Sequence, residues 1–286
     1  MEIFQYLFLL IFSNRSMYMN LITGRNTPDF AKDTVYRFMK MIQINWIRFT
    51  TILSTRIIRD AILPLNSEDR ANVLIIDDSM FERNRSKKVE LLAKVYDHAK
   101  HKYRFGFRML TLGWSDGSTF LPVNSVLLST ENRKNRINEA TEVDKRTVGY
   151  KRKEYLCLIS TDVNLDENEI IRIYGKRWDI EVFFKVCKSY LNLSKECNSL
   201  SYDAMTAHTA VVFTRYMMLS LESRESNDNR SLRELFLYFS DEMSDITWIQ
   251  AFQMLLQMFR TMLLDNTELS DEKINEIQQQ KGGLSK

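Results

Sequence analysis

The sequence predicts an α/β chain in which a strand and a β-hairpin lie between helical N-terminal and C-terminal regions. Three observations carry this. Residues 1–70 and the stretch from about 202 onward keep a helical period with few breakers, the 286 residues holding only three prolines and eight glycines. Asn72–Ile76 (NVLII) interrupts that period with a short, continuous apolar run of strand type. Two apolar stretches, Tyr103–Trp114 and Thr119–Leu128, are joined by Ser115-Asp116-Gly117-Ser118, and Asp-Gly between such runs is a hairpin signal.

The first element is the apolar run Ile3–Phe12. It is about half the ~20 residues that a membrane span needs. Glu2 precedes it where a signal peptide carries a base, and no small-residue cleavage site follows, so a buried helix is expected. Thr27-Pro28-Asp29 reads as a helix start, a capping hydroxyl followed by Pro at the first helical position. Beyond it an amphipathic helix pair sets Phe30, Val35, Phe38, Ile42, Trp46, Phe49 and Leu53 near one face. Arg37, Lys40, Arg48, Arg56 and Arg59 are interspersed. They form an ordinary solvated face or, on the alternative reading, a DNA-contacting helical region.

Asn72–Ile76 then reads as a buried strand that delivers Asp77 and Asp78 at its C-terminal end. The segment Phe81–Arg108 is the densest positive stretch of the chain, and its His98 and His101 lack a third ligand nearby. The hairpin follows. Residues 131–153 are charged, without apolar period, and read as loop; Glu154–Ser160 is a second candidate buried strand. A helix is expected from Leu165 through Lys188, further helices from about Tyr202, and a tail over 270–286.

Composition bounds the function more loosely. An apolar fraction of 44% with 12% aromatics describes a core-forming protein and removes disorder as the default. The net charge of +3, from 40 basic and 37 acidic residues, does not by itself mark a nucleic-acid binder. Cys157, Cys187 and Cys197 have neither C-x-x-C spacing nor paired histidines. That argues against zinc and fits a reducing, cytoplasmic compartment.

The chemistry concentrates in Tyr174–Lys188, YGKRWDIEVFFKVCK. At about 100° per residue, Tyr174, Arg177, Glu181 and Lys188 fall within a stripe of roughly 60°, with Trp178 and Phe184 free to pack elsewhere. On spacing alone this is equally a solvated helix stripe, because Arg and Glu four apart pair readily. Taken with Asp77 it becomes a candidate site. A carboxylate on a strand and a Glu on a later helix can share a divalent cation, and hard cations such as Mg²⁺ take carboxylate and phosphate oxygens. Lys and Arg beside such a site would bind backbone phosphate, and a Tyr could stack or hydrogen-bond there.

Tyr174-x2-Arg177-x3-Glu181-x6-Lys188 resembles, at all four positions, the YREK signature of DDE transposases in the IS-four group of insertion sequences. Ile76-Asp77-Asp78-Ser79 is similar to the first catalytic motif of that family, an apolar strand followed by Asp-x-Ser/Thr. The resemblance implies a ribonuclease-H-like catalytic core that cuts and joins DNA with two Mg²⁺. Asp77 and Glu181 would be its catalytic metal ligands, and Tyr174, Arg177 and Lys188 would contact transposon-end DNA. It implies DNA ends and target as partners, allows a homodimer, involves no membrane, and places the protein in a bacterial cytoplasm. The expected division is 1–70 helical, 71–200 the core shortened near 130–153, 201–269 helical and 270–286 tail.

The second Asp of that family has no counterpart here. Asp144 and Asp162 are poor substitutes: Asp144 is not at a strand end, and the strand before Asp162 looks like the one that follows the missing segment. An internal deletion with its seam near Val148–Lys153 is the expectation. Two carboxylates hold two Mg²⁺ poorly, so an impaired transposase is expected, with a DNA-binding remnant as the alternative.

Overall fold

The structure, a computed structural model, describes residues 2–12, 17, 20, 28–66, 72–98, 100–130, 132, 134–139, 175–196, 199–225 and 230–245. The first helix, α1 (Glu2–Leu9), is built from the apolar N-terminal run, and every residue from Tyr6 to Phe12 is buried. The helix pair follows as α2 (Lys32–Met39) and α3 (Trp46–Ile57). Asn45 starts α3 by accepting the Arg48 backbone N–H at 2.9 Å, satisfying a first-turn donor. Trp46, the first residue of α3, meets Phe4, Phe38 and Phe49 with its ring. The helix then relaxes through a π turn (Ile58–Ile62) into a 3₁₀ turn (Leu63–Leu65).

The expected helix start at Pro28 is not used. Pro28 to Ala31 stay outside the helix, and Ala31 is an extended N-cap without a side-chain bond. Phe30, set edge-on to the Tyr6 ring at 5.6 Å, packs against the α1 segment instead of opening a helical turn, so tertiary contact prevails over the local signal.

Four strands form one antiparallel sheet: β1 (Val73–Glu82), β2 (Ala93–Asp97), β3 (Lys102–Ser115) and β4 (Phe120–Leu128). β3 is the centre. Along one edge it pairs with β1, and along the other with β2 and then β4. The predicted hairpin is β3–β4, and its turn is closed by Asp116, whose Oδ1 accepts the backbone N–H of Ser118 at 2.8 Å and of Thr119 at 2.7 Å. Gly117 takes the left-handed conformation there, at φ 87°.

The strand at 72–76 is longer and less buried than its sequence implied. Pairing with β3 carries β1 on to Glu82, so Asp77 and Asp78 stand in mid-strand, opposite Thr111 and Leu110. The apolar run is also not buried on both faces, since Leu74 is 68% and Ile76 65% exposed while Ile75 between them is buried. Leu74 and Ile76 lie on the face turned away from the later helix Trp178–Ser189, and the pleat sends them to solvent whatever their polarity.

Three helices complete the described chain: α4 (Trp178–Ser189), preceded by a 3₁₀ turn (Gly175–Arg177), then α5 (Tyr202–Glu225) and α6 (Leu232–Asp245). Ser231 and Glu234 form a reciprocal cap at the start of α6. The core joins α4 and α5 to the sheet through rings, Phe183 lying 5.0 Å from Phe120, 5.2 Å from Phe213 and 4.8 Å from Tyr216. Met205 and Met217 of α5 are fully buried core. Glu154–Ser160, the proposed seam, and the C-terminal stretch from 246 lie outside the described residues.

Candidate active site on strand β1 and helix α4

The site follows from the pleat of β1. Ile75, Asp77, Ser79 and Phe81 share one face and Leu74, Ile76, Asp78 and Met80 the other. Cross-strand neighbours fix which face is which. Asp77 lies opposite Thr111, on the side where Phe107 contacts Tyr202 of α5 and where Ser115 meets α4. Asp78 points the other way and pairs with Arg108 at 2.9 Å. Neighbouring acids are thus sent to opposite faces, and only Asp77 faces α4.

Arg177 closes the space between them. Its Nη1 donates to Asp77 Oδ2 at 3.1 Å, and its Nη2 lies 2.7 Å from Glu181 Oε1 on the next turn. Asp77 and Glu181, far apart in sequence, therefore meet on one guanidinium. Further along α4, Lys188 Nζ donates to Ser79 Oγ at 2.5 Å, two residues beyond Asp77 on the same strand face. The start of α4 is held in place by Ser115, whose hydroxyl donates to Asp179 Oδ2 at 2.6 Å.

Burial pushes the Asp77 carboxyl above the usual carboxylate range. The Asp78 backbone N–H and the Arg177 cation oppose that rise, and the negative charges of Asp78 and Glu181 add to it. Burial likewise draws the Lys188 ammonium down, against the pull of Asp97 and Glu82. Beside Lys188, Cys187 is fully buried, and its thiol is pushed up by burial, which makes it a core residue without nucleophile character.

A family model described as DDE superfamily endonuclease matches residues 8–169, more than half of the chain. The chain belongs to that family. No curated protein and no solved structure matches it. As a DDE superfamily endonuclease the chain has a transposase-like nuclease ancestry, and that superfamily acts on DNA with divalent metal. The match begins at the end of α1, takes in α2, α3, the whole sheet and Asp77, and ends before α4, so Arg177, Glu181 and Lys188 lie beyond it.

The residues present suit a hard divalent cation. Two carboxylates near enough to share one guanidinium form an oxygen donor set of the kind that Mg²⁺ takes. Among the described residues no group of three or more His, Cys, Asp or Glu stands together as a metal site. Asp144 and Asp162 lie outside the described residues, as does Tyr174. No described helix is long and apolar enough to cross a membrane.

Sequence reasoning brought Asp77, Arg177, Glu181 and Lys188 together, and the structure brings these four to one strand face. It missed Ser115 and Asp179, which fasten α4 to β3. A Ser at a turn and an acid in a first helical turn are too common to stand out. It also expected Trp178 to pack, whereas Trp178 is 66% exposed on the first turn of α4, between Arg177 and Asp179. The ring core beneath α4 is filled by Phe183 and Phe184, leaving Trp178 on the outer side.

Proposed function

We propose that the chain is a transposase of the YREK type, from the IS-four group of DDE enzymes, with a ribonuclease-H-like core. On this reading Asp77 and Glu181 hold divalent metal, and Arg177, Lys188 and Tyr174 bind the transposon-end DNA. The observation that carries it is the meeting of Asp77 and Glu181 on Arg177, with Lys188 on Ser79 beside them. When bound, Mg²⁺ would activate the attacking oxygen and stabilise the leaving one. The chain's own part is to hold two carboxylates toward that ion and to set two cations where phosphate oxygens arrive.

The division into a helical region over 1–70, a core over 71–200 shortened near 130–153, and a helical region over 201–269 belongs to the same reading. So does a deletion with its seam near Val148–Lys153, which would remove the strand bearing the second Asp. Two carboxylates grip two metal ions poorly, so cleavage is impaired in this copy while DNA binding persists.

The test uses labelled DNA from the two sequences that flank the gene, where this reading expects terminal inverted repeats. Salt-dependent binding is expected, weakened about tenfold or more by the double change Arg177→Ala and Lys188→Ala. Slow nicking in Mn²⁺, lost in Glu181→Gln, is the expected catalysis. Binding without any nicking supports the alternative, a remnant that only occupies DNA. Binding indifferent to both basic side chains would sink the site altogether.

A further inference from the structure

We propose that Arg177 is a resident counter-cation of the Asp77–Glu181 pair. A divalent ion must displace it to bind, and the displaced guanidinium then turns to DNA phosphate. The inference rests on the reading of Asp77 and Glu181 as the metal-binding pair, and it goes beyond that reading by making metal and DNA binding interdependent through one side chain.

The geometry of the guanidinium carries the argument. An arginine that merely recognises a carboxylate lays both terminal nitrogens on the two oxygens of that one group. Arg177 instead spends Nη1 on Asp77 and Nη2 on Glu181, at 3.1 and 2.7 Å, so the planar cation lies between two carboxylates from different elements. These are oxygens that a shared divalent ion would need. Two carboxylates brought together repel unless a positive charge separates them, so with no metal bound the arginine supplies that charge. A divalent ion seated between the two carboxylates would take the place that the guanidinium fills, and the two positive charges repel at such short range.

The side chain also reaches solvent. Arg177 belongs to the 3₁₀ turn before α4, and its side chain is 38% exposed. Lys188, the other cation on this face, is already held on Ser79 and does not reach the carboxylates in its place. Arg177 leaving the carboxylates puts a guanidinium, the side chain best shaped for phosphate, at the rim of the same site. Linkage then requires that DNA tighten metal binding by the same factor by which metal tightens DNA binding.

The experiment is Mn²⁺ titration of the full chain, with free Mn²⁺ read by electron paramagnetic resonance, and no DNA present. The Arg177→Gln protein should bind Mn²⁺ about five- to tenfold more tightly than the unaltered chain, as expected when a competing cation is removed. Arg177→Lys, which keeps the charge as a single point, should gain less. It also carries the comparison if the Gln variant folds poorly. Asp77→Asn and Glu181→Gln should each weaken Mn²⁺ binding. If both acid variants weaken it but Arg177→Gln binds no tighter, or more loosely, the inference is overturned and the metal site stands. If neither acid variant changes Mn²⁺ binding, the metal reading falls and takes the inference with it.

A second readout tests the linkage. Mn²⁺ should tighten binding of a short DNA duplex to the unaltered chain several-fold, by the coupling stated above. In Arg177→Gln that gain should shrink toward none. An undiminished gain would overturn the role of Arg177 in the coupling.

Discussion

A single buried histidine makes the stability of this fold depend on pH. His208 lies within α5, and burial together with the charges of Arg215 and Arg83 pulls its imidazole down from 6.5 to about 3. The folded chain therefore keeps His208 neutral where the unfolded chain protonates it. Between those two values the unfolded state binds more protons, so stability falls as pH falls. Below pH 6.5 the loss from this one group is about 1.4 kcal/mol per pH unit. Urea unfolding at pH 7, 6 and 5 should show that decline, and His208→Leu should remove about one proton's worth of slope. Equal slopes in the two proteins would show that His208 is not the responsible group.

At the scale of elements, the sheet turns on one residue. Gly106 of β3 pairs with Glu82 of β1 on one side and Ala93 of β2 on the other, so it sits where three strands meet. Its φ is 154°, and a Cβ there would come within 2.1 Å of the Phe81 carbonyl oxygen, a backbone atom that cannot swing aside. Gly106→Ala should therefore cost about 2–4 kcal/mol, within the range seen for backbone strain and overpacking together. A chemical denaturation midpoint that stays in place would show that the strands shift to admit the methyl group. No pattern in KYRFGFRML announces this glycine, because the need for it arises from β1, which lies more than twenty residues earlier.

The same contrast separates what was legible in the sequence from what was not. The β3–β4 hairpin could be read because Asp116-Gly117 is a local turn chemistry, α4 and α6 because their apolar period is local too, and α5 because Tyr202–Glu225 holds no Gly or Pro to break a helix. The convergence of Asp77 with Arg177 and Glu181 was legible as a resemblance of spaced residues, but not the cation between the two acids. The start of α2 and the one-sided burial of β1 were not legible. The first is decided by a partner distant in sequence, Tyr6 for Phe30, and the second by the face on which α4 packs, which leaves Leu74 and Ile76 on the other.

Across the whole molecule, one charged side chain joins elements that the sequence sets far apart. Arg215 of α5 is completely buried. Its guanidinium donates to the carbonyls of Leu7 and Phe8, to the latter at 2.9 Å, and pairs with Glu196 at 2.7 Å. Those two carbonyls belong to the last turn of α1, where unsatisfied acceptors and the negative end of the helix dipole favour a cation. The N-terminal helix, the loop after α4 and the long helix α5 are thus fastened at one point. That loop is also tied to the sheet, because Arg83, just beyond β1, donates to the Ser194 carbonyl at 3.1 Å. Removing Arg215 strands Glu196 and two buried carbonyls at once. Arg215→Met keeps most of the volume, and it should still cost about 3–5 kcal/mol, the usual penalty for leaving one member of a buried pair alone. The double change Arg215→Met with Glu196→Gln should recover part of that loss, since the uncompensated charge goes. A double variant as unstable as the single one would assign the cost to the α1 carbonyls, and the junction would then be a helix cap rather than an ion pair.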